Sequence, residues 1–455
     1  MEKISWRTVH GDIRGDHMYS THDSMATPLL LETAAALKVL LVHNSYRQPG
    51  GEDQVVNAEA DLLRSHGHKV LLYQATNADI QNPLTVLGQV VWNQTSFREL
   101  RALVQQAQPD VVHVHNTFPV ISPAALYAAA EERIPVVHTL HNYRLLCPAA
   151  TFYRDGHVCE ECVDSRNLLP SVLHACYRQS RLTTAAAAVT LTAHRLARSW
   201  QRHVAAYIAL TEFARQKFVE NGFDRCKMHV KSNFIRLDPG MGSGTGGYAL
   251  FVGRLTEEKG IATLLRAWKQ LGDRFRLEII GEGPLSSDVK AAQLTMPNLR
   301  WHGWLSKDQV LARMQRANML IMPSEWYEGF PVTLLEAFAT GLPAIVSRIG
   351  SLAGLVKEGK TGVQFDAGNA AELADKIRFL FANPELLSQM RRACREEYEK
   401  KYTAEANYAI LSGIYSAALN SQYELSGSFR QPQGSPVKSE GTGKTKAVVS
   451  ALRST

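Results

Sequence analysis

From Lys38 onward, apolar residues fall into short continuous blocks separated by longer amphipathic stretches. A continuous apolar block bounded by turn residues suits a strand buried on both faces, and an i, i+3, i+4 pattern suits the helix that covers it. Lys38 to His43 therefore predicts a first strand, Gly50-Gly51 a turn, the stretch up to His66 a helix and Lys69 to Tyr73 a second strand, one βαβ unit. The runs Asp110 to His115, Val136 to His141 and Tyr207 to Leu210 extend the same parallel sheet. Asp238 to Gly247 reads DPGMGSGTGG and interrupts the series, because a Gly-rich segment with almost no apolar content packs no core of its own. A second series follows at once, with strands at Ala249 to Gly253, Arg276 to Ile280, Met319 to Met322 and Ala344 to Ser347. Helices are predicted between them at Ile261 to Leu271, Lys307 to Ala317 and Val332 to Thr340, with a last one at Thr403 to Leu419. The pattern is that of an α/β protein with two Rossmann-like, doubly wound parallel-sheet domains.

The organisation expected is a disordered leader over 1–36, with Met18 and Met25 as alternative starts, and a first domain over 37–236. A hinge over 237–247 then leads to a second domain over 248–402, a helix over 403–423 packing back on the first domain, and a disordered tail over 424–455. A chain of 455 residues exceeds what one core usually organises. Apolar content of 45% and charged content of 20% are ordinary for a globular protein, and no apolar run approaches bilayer length, which argues against an integral membrane protein. The net charge of +7 and pI of about 9.0 favour anionic partners: nucleotide phosphates, a lipid surface or nucleic acid. Six cysteines without a signal-peptide pattern point to a reducing, cytoplasmic setting.

The segment EGFPVTLLE places Glu328 before a turn and Glu336 among Leu334, Leu335, Ala337 and Phe338. A buried carboxylate without a partner is costly, so Glu336 calls for donors such as ribose or sugar hydroxyls; the bland alternative has it facing solvent. Pro331 suits the first helical position, leaving the N–H groups of Val332 and Thr333 as an anion site. GRLTEEKG brings Arg254 to the carboxyl end of a strand and Lys259 to the next helix, where two cations would neutralise a diphosphate. The alternative is that both are solvated and paired with Glu257 and Glu258. The GEGP turn at Gly281 follows another strand and would pass beside a nucleobase. In the first domain, HVHN places His113 and His115 on one face of a strand with His115 at its carboxyl end, and His141 ends the next. A strand-end imidazole can hydrogen-bond a sugar, whereas His113 is expected to pack within the sheet.

Together these motifs resemble the retaining glycosyltransferase family 4, the group 1 glycosyl transferases of GT-B fold. The resemblance covers roughly Lys38 to Leu419 and rests on Gly50-Gly51, VGRLTEEKG, IIGEGP, WHGWL and the acid pair of EGFPVTLLE. It implies two domains facing a cleft and a nucleotide-diphosphate-sugar donor. Arg254 and Lys259 would grip the diphosphate, Glu336 the ribose hydroxyls and Glu328 the transferred sugar, with Gly50, Gly51, Gly281, Phe330, Val332 and Thr333 completing the donor site. His115 and His141 would lie toward a saccharide or lipid-linked acceptor, and His115, Arg254, Lys259 and Glu328 would carry catalysis. Many members have Gly where Pro331 stands, which shifts phosphate contacts to Val332 and Thr333. The implied reaction is a retaining transfer without an enzyme nucleophile, driven by stabilisation of the leaving diphosphate. No catalytic metal is expected, and no DxD triplet occurs.

Two features lie outside this pattern. Cys147, Cys159, Cys162 and Cys176 form C-x11-C-x2-C-x13-C within an insertion over 147–176; the spacing predicts a structural zinc, with an iron–sulfur cluster or four unrelated thiols as alternatives. Between Asp164 and Glu212 there is no acidic residue, while Arg166, Arg178, Arg181, Arg195, Arg198 and Arg202 all occur. One continuous helix there would carry an apolar stripe of Val189, Ala193, Leu196 and Trp200 beside Arg195, Arg198 and Arg202, a surface for anionic lipid at the inner face of a membrane or for a lipid-linked acceptor. The bland alternative is a core-facing stripe with solvated arginines. Cell-surface polysaccharide or glycolipid assembly fits this reading. The rivals are a nucleotide-sugar epimerase of the same architecture and a basic nucleic-acid-binding protein with a zinc knuckle; only Tyr177 and Trp200 stand among the arginines, too few for an interleaved basic–aromatic surface, so no nucleic acid is expected.

Overall fold

The computed structural model describes residues 36–45, 50–77 and 88–426. The leader and tail expected at the two ends lie, apart from residues 36 and 424–426, outside the described residues.

The first sheet has strands β1 (Lys38–Ser45), β2 (Lys69–Thr76), β3 (Val111–Asn116) and β4 (Val136–Leu140). After a small antiparallel hairpin, β5 (Tyr153–Arg154) with β6 (His157–Val158), it continues with β7 (Ala206–Ala209) and β8 (Met228–Val230). The strands lie parallel in the order β2-β1-β3-β4-β7-β8. The second sheet repeats the plan with β9 (Tyr248–Val252), β10 (Arg276–Ile280), β11 (Leu299–Trp301), β12 (Met319–Met322), β13 (Ala344–Ser347) and β14 (Gly362–Phe365). Its order is β11-β10-β9-β12-β13-β14. Each order reverses once, between β1 and β3 and between β9 and β12. The crevice at the carboxyl ends of such a pair is where doubly wound sheets bind ligands.

The burial of β1 shows why both faces must be covered: Val39, Leu40, Leu41 and Val42 are all fully buried. Leu40 and Val42 meet Leu100, Val104 and Val114 on one side of the sheet. Val39 and Leu41 meet Leu63 and, from the helix Ala404–Ser426, Leu411, Ile414, Tyr415 and Ala418 on the other. The alternation follows from the two-residue repeat of a strand.

Two sequence readings need correction. The basic segment is not one helix: Arg181–Leu196 ends, Arg198 adopts φ 55°, and a separate turn Ser199–His203 follows. The stripe is split accordingly, since Val189 and Leu196 are exposed while Trp200 is buried. Arg195 is no solvated charge either, because its Nη2 donates to the carbonyls of Leu145 and Leu146 at 2.8 and 3.2 Å. Pro331 is the N-cap of the helix Val332–Ala339 rather than its first residue. The Gly-rich strap behind Asp238 is tied to the second domain through Gly242 N to Thr340 O, Gly244 N to Gln315 O and Gly246 N to Arg316 O.

Candidate active site

The loops after β9, β10 and β12 converge at the reversal point of the second sheet. Beyond β12, Ser324 and Glu328 bracket a turn, and Glu328 Oε1 accepts from Ser324 Oγ and from Lys259 Nζ, each at 2.7 Å. Burial drives the Glu328 carboxyl upward, but the Lys259 charge and hydrogen bonds from Lys259 and Ser324 outweigh it and leave the group below the usual carboxylate range. The Lys259 ammonium also lies 5.2 Å from the centre of the Trp326 ring. Lys259 thus pairs across the site rather than with Glu257 or Glu258. Arg254 is exposed and, among the described residues, makes no ion pair. Gly281 holds φ 129°, and a Cβ there would stand 1.9 Å from the Gly253 carbonyl oxygen, so only glycine lets the two loops touch.

Glu336 lies in the helix Val332–Ala339 and is 8% exposed. Burial raises its pKa, opposed by Lys307, whose Nζ stands 3.7 Å away. The solvent-facing alternative for Glu336 is thus not what the fold adopts. At the front of that helix, Val332 and Thr333 occupy its first two positions, whose N–H groups have no intrahelical acceptor. Phe330 turns its ring inward against Tyr402, 5.5 Å between centroids.

Across from this group stands the first sheet. His43, at the end of β1, places Nε2 3.0 Å from Asp53 Oδ1, while Asp53 Oδ2 accepts from Gly50 N at 2.7 Å. One carboxylate therefore fixes the glycine turn to the strand before it. His115 Nδ1 lies 2.9 Å from His141 Nε2, and His115 Nε2 stands 3.2 Å from Glu59 Oε1. His113 is fully buried, with Nε2 2.8 Å from Thr139 Oγ1 and Nδ1 2.8 Å from Tyr415 OH. Glu59 Oε2 accepts from Lys231 Nζ at 2.7 Å. Burial alone would raise the Glu59 carboxyl; Lys231, His113 and His115 instead hold it well below its usual range. Burial, then the neighbouring His113, lowers the His115 pKa to about 3, and burial, then His115 and His43, lowers that of His141. Both imidazoles are neutral at neutral pH. The donor atoms of Glu59, His113 and His115 lie within 4.8 Å of one another, but Lys231 already supplies the positive charge a metal would bring.

The two sides meet. A Cβ on Gly329 would stand 2.8 Å from the His141 carbonyl oxygen, and one on Gly51 would stand 3.8 Å from Val332 Cγ2. Asn233 Nδ2 donates to the Phe330 carbonyl at 3.0 Å, and Tyr143 OH reaches the Glu328 carbonyl at 3.5 Å. The geometry therefore gathers Lys259, Glu328, Val332, Thr333 and Glu336 on one wall, faces them with Gly50, Gly51 and His141, and keeps His115 behind His141 and Phe330 in the core.

Known proteins resemble this chain in sequence and fold. A family model described as Glycosyl transferases group 1 matches residues 243–397, and one described as Glycosyltransferase Family 4 matches residues 49–239. The chain belongs to the group 1 glycosyltransferases. Among solved structures, sucrose-phosphate synthase from Thermosynechococcus elongatus aligns with a TM-score of 0.61 at 16% identity, over 85% of this chain and 100% of that one. HepE from Anabaena, solved in complex with UDP, aligns with a TM-score of 0.59 at 16% identity, over 84% and 100%. These likenesses establish the GT-B fold. Sulfoquinovosyl transferase SQD2 of Arabidopsis thaliana is 31% identical over 173 residues, 37% of this chain and 33% of that one. A 2-deoxystreptamine N-acetyl-D-glucosaminyltransferase of Niallia circulans is 28% identical over 175 residues, 37% and 44%. The chain thus matches between a third and a half of these curated relatives' length.

This group 1 glycosyltransferase holds several site-forming residues that motif reading misses. Ser324 positions Glu328, Trp326 lies against Lys259, Asp53 positions the glycine turn, and Glu59 with Lys231 underlies the histidines. Lys231 carries a faint signal, a lysine at the carboxyl end of the short strand β8.

Proposed function

We propose that this chain is a retaining glycosyltransferase that moves a sugar from a nucleotide-diphosphate-sugar to a hydroxyl acceptor. The observation that carries the reading is the pairing of Lys259 with Glu328 beside the free N–H groups of Val332 and Thr333, with buried Glu336 one helical stretch further on. The diphosphate binds the helix N-terminus, Lys259 and Arg254, which neutralise the charge that grows as the sugar departs. Glu336 accepts hydrogen bonds from the ribose hydroxyls and so gains the partners its burial demands. Glu328 and His141 orient the sugar, and the acceptor oxygen enters on the face from which the diphosphate leaves. Support for a nucleotide-sugar donor comes from the Anabaena HepE structures with UDP and with UDP and glucose.

A cell-surface polysaccharide or glycolipid acceptor, met at the inner face of a membrane, completes the proposal. Leu182, Val189 and Leu196 recur every two turns of the helix Arg181–Leu196 and are 56%, 57% and 81% exposed, with Arg178, Arg181, Arg198 and Arg202 exposed around them. Apolar side chains ringed by arginines suit an anionic lipid surface. Among the described residues, no helix is long and apolar enough to cross a membrane.

A thermal-shift comparison of UDP, GDP and ADP and their sugars tests the donor reading. Stabilisation by one nucleotide, weakened in Lys259→Ala and Glu336→Ala, is the expected outcome. A folded sample that responds to none of them overturns it, and turnover of the nucleotide-sugar into its epimer without an acceptor assigns the site to the rival isomerase.

A further inference from the structure

The insertion between β4 and the helix Arg181–Leu196 has almost no regular structure to hold it. Its longest helix is Leu169–Leu173, its only strands are the two-residue hairpin β5–β6, and non-glycine residues Ala150, Phe152, Asp155, Arg166, Ala175, Arg178 and Gln179 all adopt positive φ. Leu145, Leu146, Phe152 and Leu168 tie it into the core of the first domain, and a cross-link would hold the irregular loops between those anchors. Its four cysteines are all reduced. Although 28 residues separate the outermost pair in the sequence, Cys147, Cys159, Cys162 and Cys176 all line one cavity of about 20 Å³, together with Phe152, Arg154 and Ser171.

We propose that these four cysteines bind one zinc ion, and that the metal is structural. The cavity has room for about one water-sized guest, which suits a single ion better than the several iron and sulfide atoms of a cluster. Four thiolates and no open position suit a closed tetrahedral site. The sulfurs stand farther apart than the donor atoms of Glu59, His113 and His115, which meet within 4.8 Å. Zinc, with Zn–S bonds of about 2.3 Å, draws them inward over the cavity. Binding releases the thiol protons and leaves the site with two negative charges, faced by Arg154 on the cavity wall.

The metal acts at a distance on the site described above. Within the insertion, Glu160 lies between Cys159 and Cys162 and accepts from Tyr327 OH at 2.7 Å; Tyr143 and Phe152 pack on the same Tyr327 ring at 6.4 and 6.1 Å. Tyr327 immediately precedes Glu328, so the zinc holds the pad on which the Glu328 turn rests.

Elemental analysis of the purified full-length protein is expected to find about one zinc per chain, released when the thiols are titrated with a mercurial. Cys159→Ser with Cys162→Ser should lose the metal and melt lower, while Cys226→Ser, altering an exposed cysteine elsewhere, should keep it. A folded wild-type protein without metal, whose four thiols react freely with a disulfide reagent, overturns the proposal. So does a coloured protein carrying iron and acid-labile sulfide. The wild-type measurement stands even if the double variant fails to fold.

Discussion

Lys259 and Glu328 neutralise each other over 2.7 Å, although one belongs to the loop after β9 and the other to the turn after β12. The pair holds the two loops of the reversal point in register. Lys259→Ala removes the cation and leaves a carboxylate that is 6% exposed by side chain without it. We expect a loss of about 1–3 kcal/mol in unfolding free energy, set by the unpaired charge, together with loss of nucleotide-dependent stabilisation. Glu328→Gln keeps the shape and should retain most of the stability while losing transfer activity. Denaturant melts of both variants beside a transfer assay check this; equal stability of the two would contradict it.

Glu336 presents the opposite balance. Burial raises its pKa above that of the unfolded chain, so the folded protein binds the proton more tightly and ionisation at neutral pH costs stability. Glu336→Gln should therefore melt higher than wild type at pH 7 and lose that advantage as the pH falls toward the ordinary carboxylate value. It should at the same time weaken nucleotide binding. A variant that melts lower at pH 7 would mean that Lys307 compensates the carboxylate fully.

The buried histidines set an acid limit. His115 and His138 are both lowered to about 3 by burial and then by His113, and His141 is lowered as well. The unfolded chain takes up these protons near pH 6.5 and the folded one does not. Stability should fall as the pH drops below 6.5, by up to about 1.4 kcal/mol per pH unit for each such histidine. Urea melts between pH 7.5 and 5 measure the slope, and a flat profile would refute it.

Glu59 and Lys231 test the polar base of the first sheet. Their side chains are 1% and 2% exposed. Glu59→Ala leaves the ammonium buried and should cost about 3–5 kcal/mol, whereas Glu59→Gln with Lys231→Met should recover part of it. Urea melts give both numbers. No recovery would show that the contacts of Glu59 with His113 and His115, rather than Lys231, carry the cost.

Gly329 tests the contact between the domains. Its Cβ would stand 2.8 Å from the His141 carbonyl, so Gly329→Ala must push the two walls apart. The expected cost is about 1–3 kcal/mol, with a raised KM for donor. Unchanged kinetics would show that the contact opens freely during turnover.

The fold was legible where period and burial agree. Ile261–Leu271 and Arg276–Ile280 have the limits that their patterns predict, because a strong amphipathic face and a run of apolar residues each stop at turn residues. β11 and β14 are harder: they lie at the edges of the second sheet, with three and four residues, and β14 mixes Gly362 and Gln364 into its apolar positions. The break at Arg198 leaves no trace, since arginine is a good helix former, and the turn that buries Ser199 and Trp200 shows only in the packing. At the site, Glu336 and Lys259 announce themselves through their apolar neighbours and strand-end position. Glu59 does not: on its own helix it looks like any surface acid, and its partner Lys231 is 172 residues away.

The helix Ala404–Ser426 covers the face of the first sheet formed by Val39, Leu41, Val111, Val137 and Ile208. During synthesis that face is made early and its cover emerges only after both sheets. The first domain consequently spends most of translation with an apolar sheet face open to solvent, and the hydrogen bond between His113 and Tyr415 forms only after the second domain has left the ribosome. The first domain expressed alone has no such cover and leaves that apolar face exposed to association.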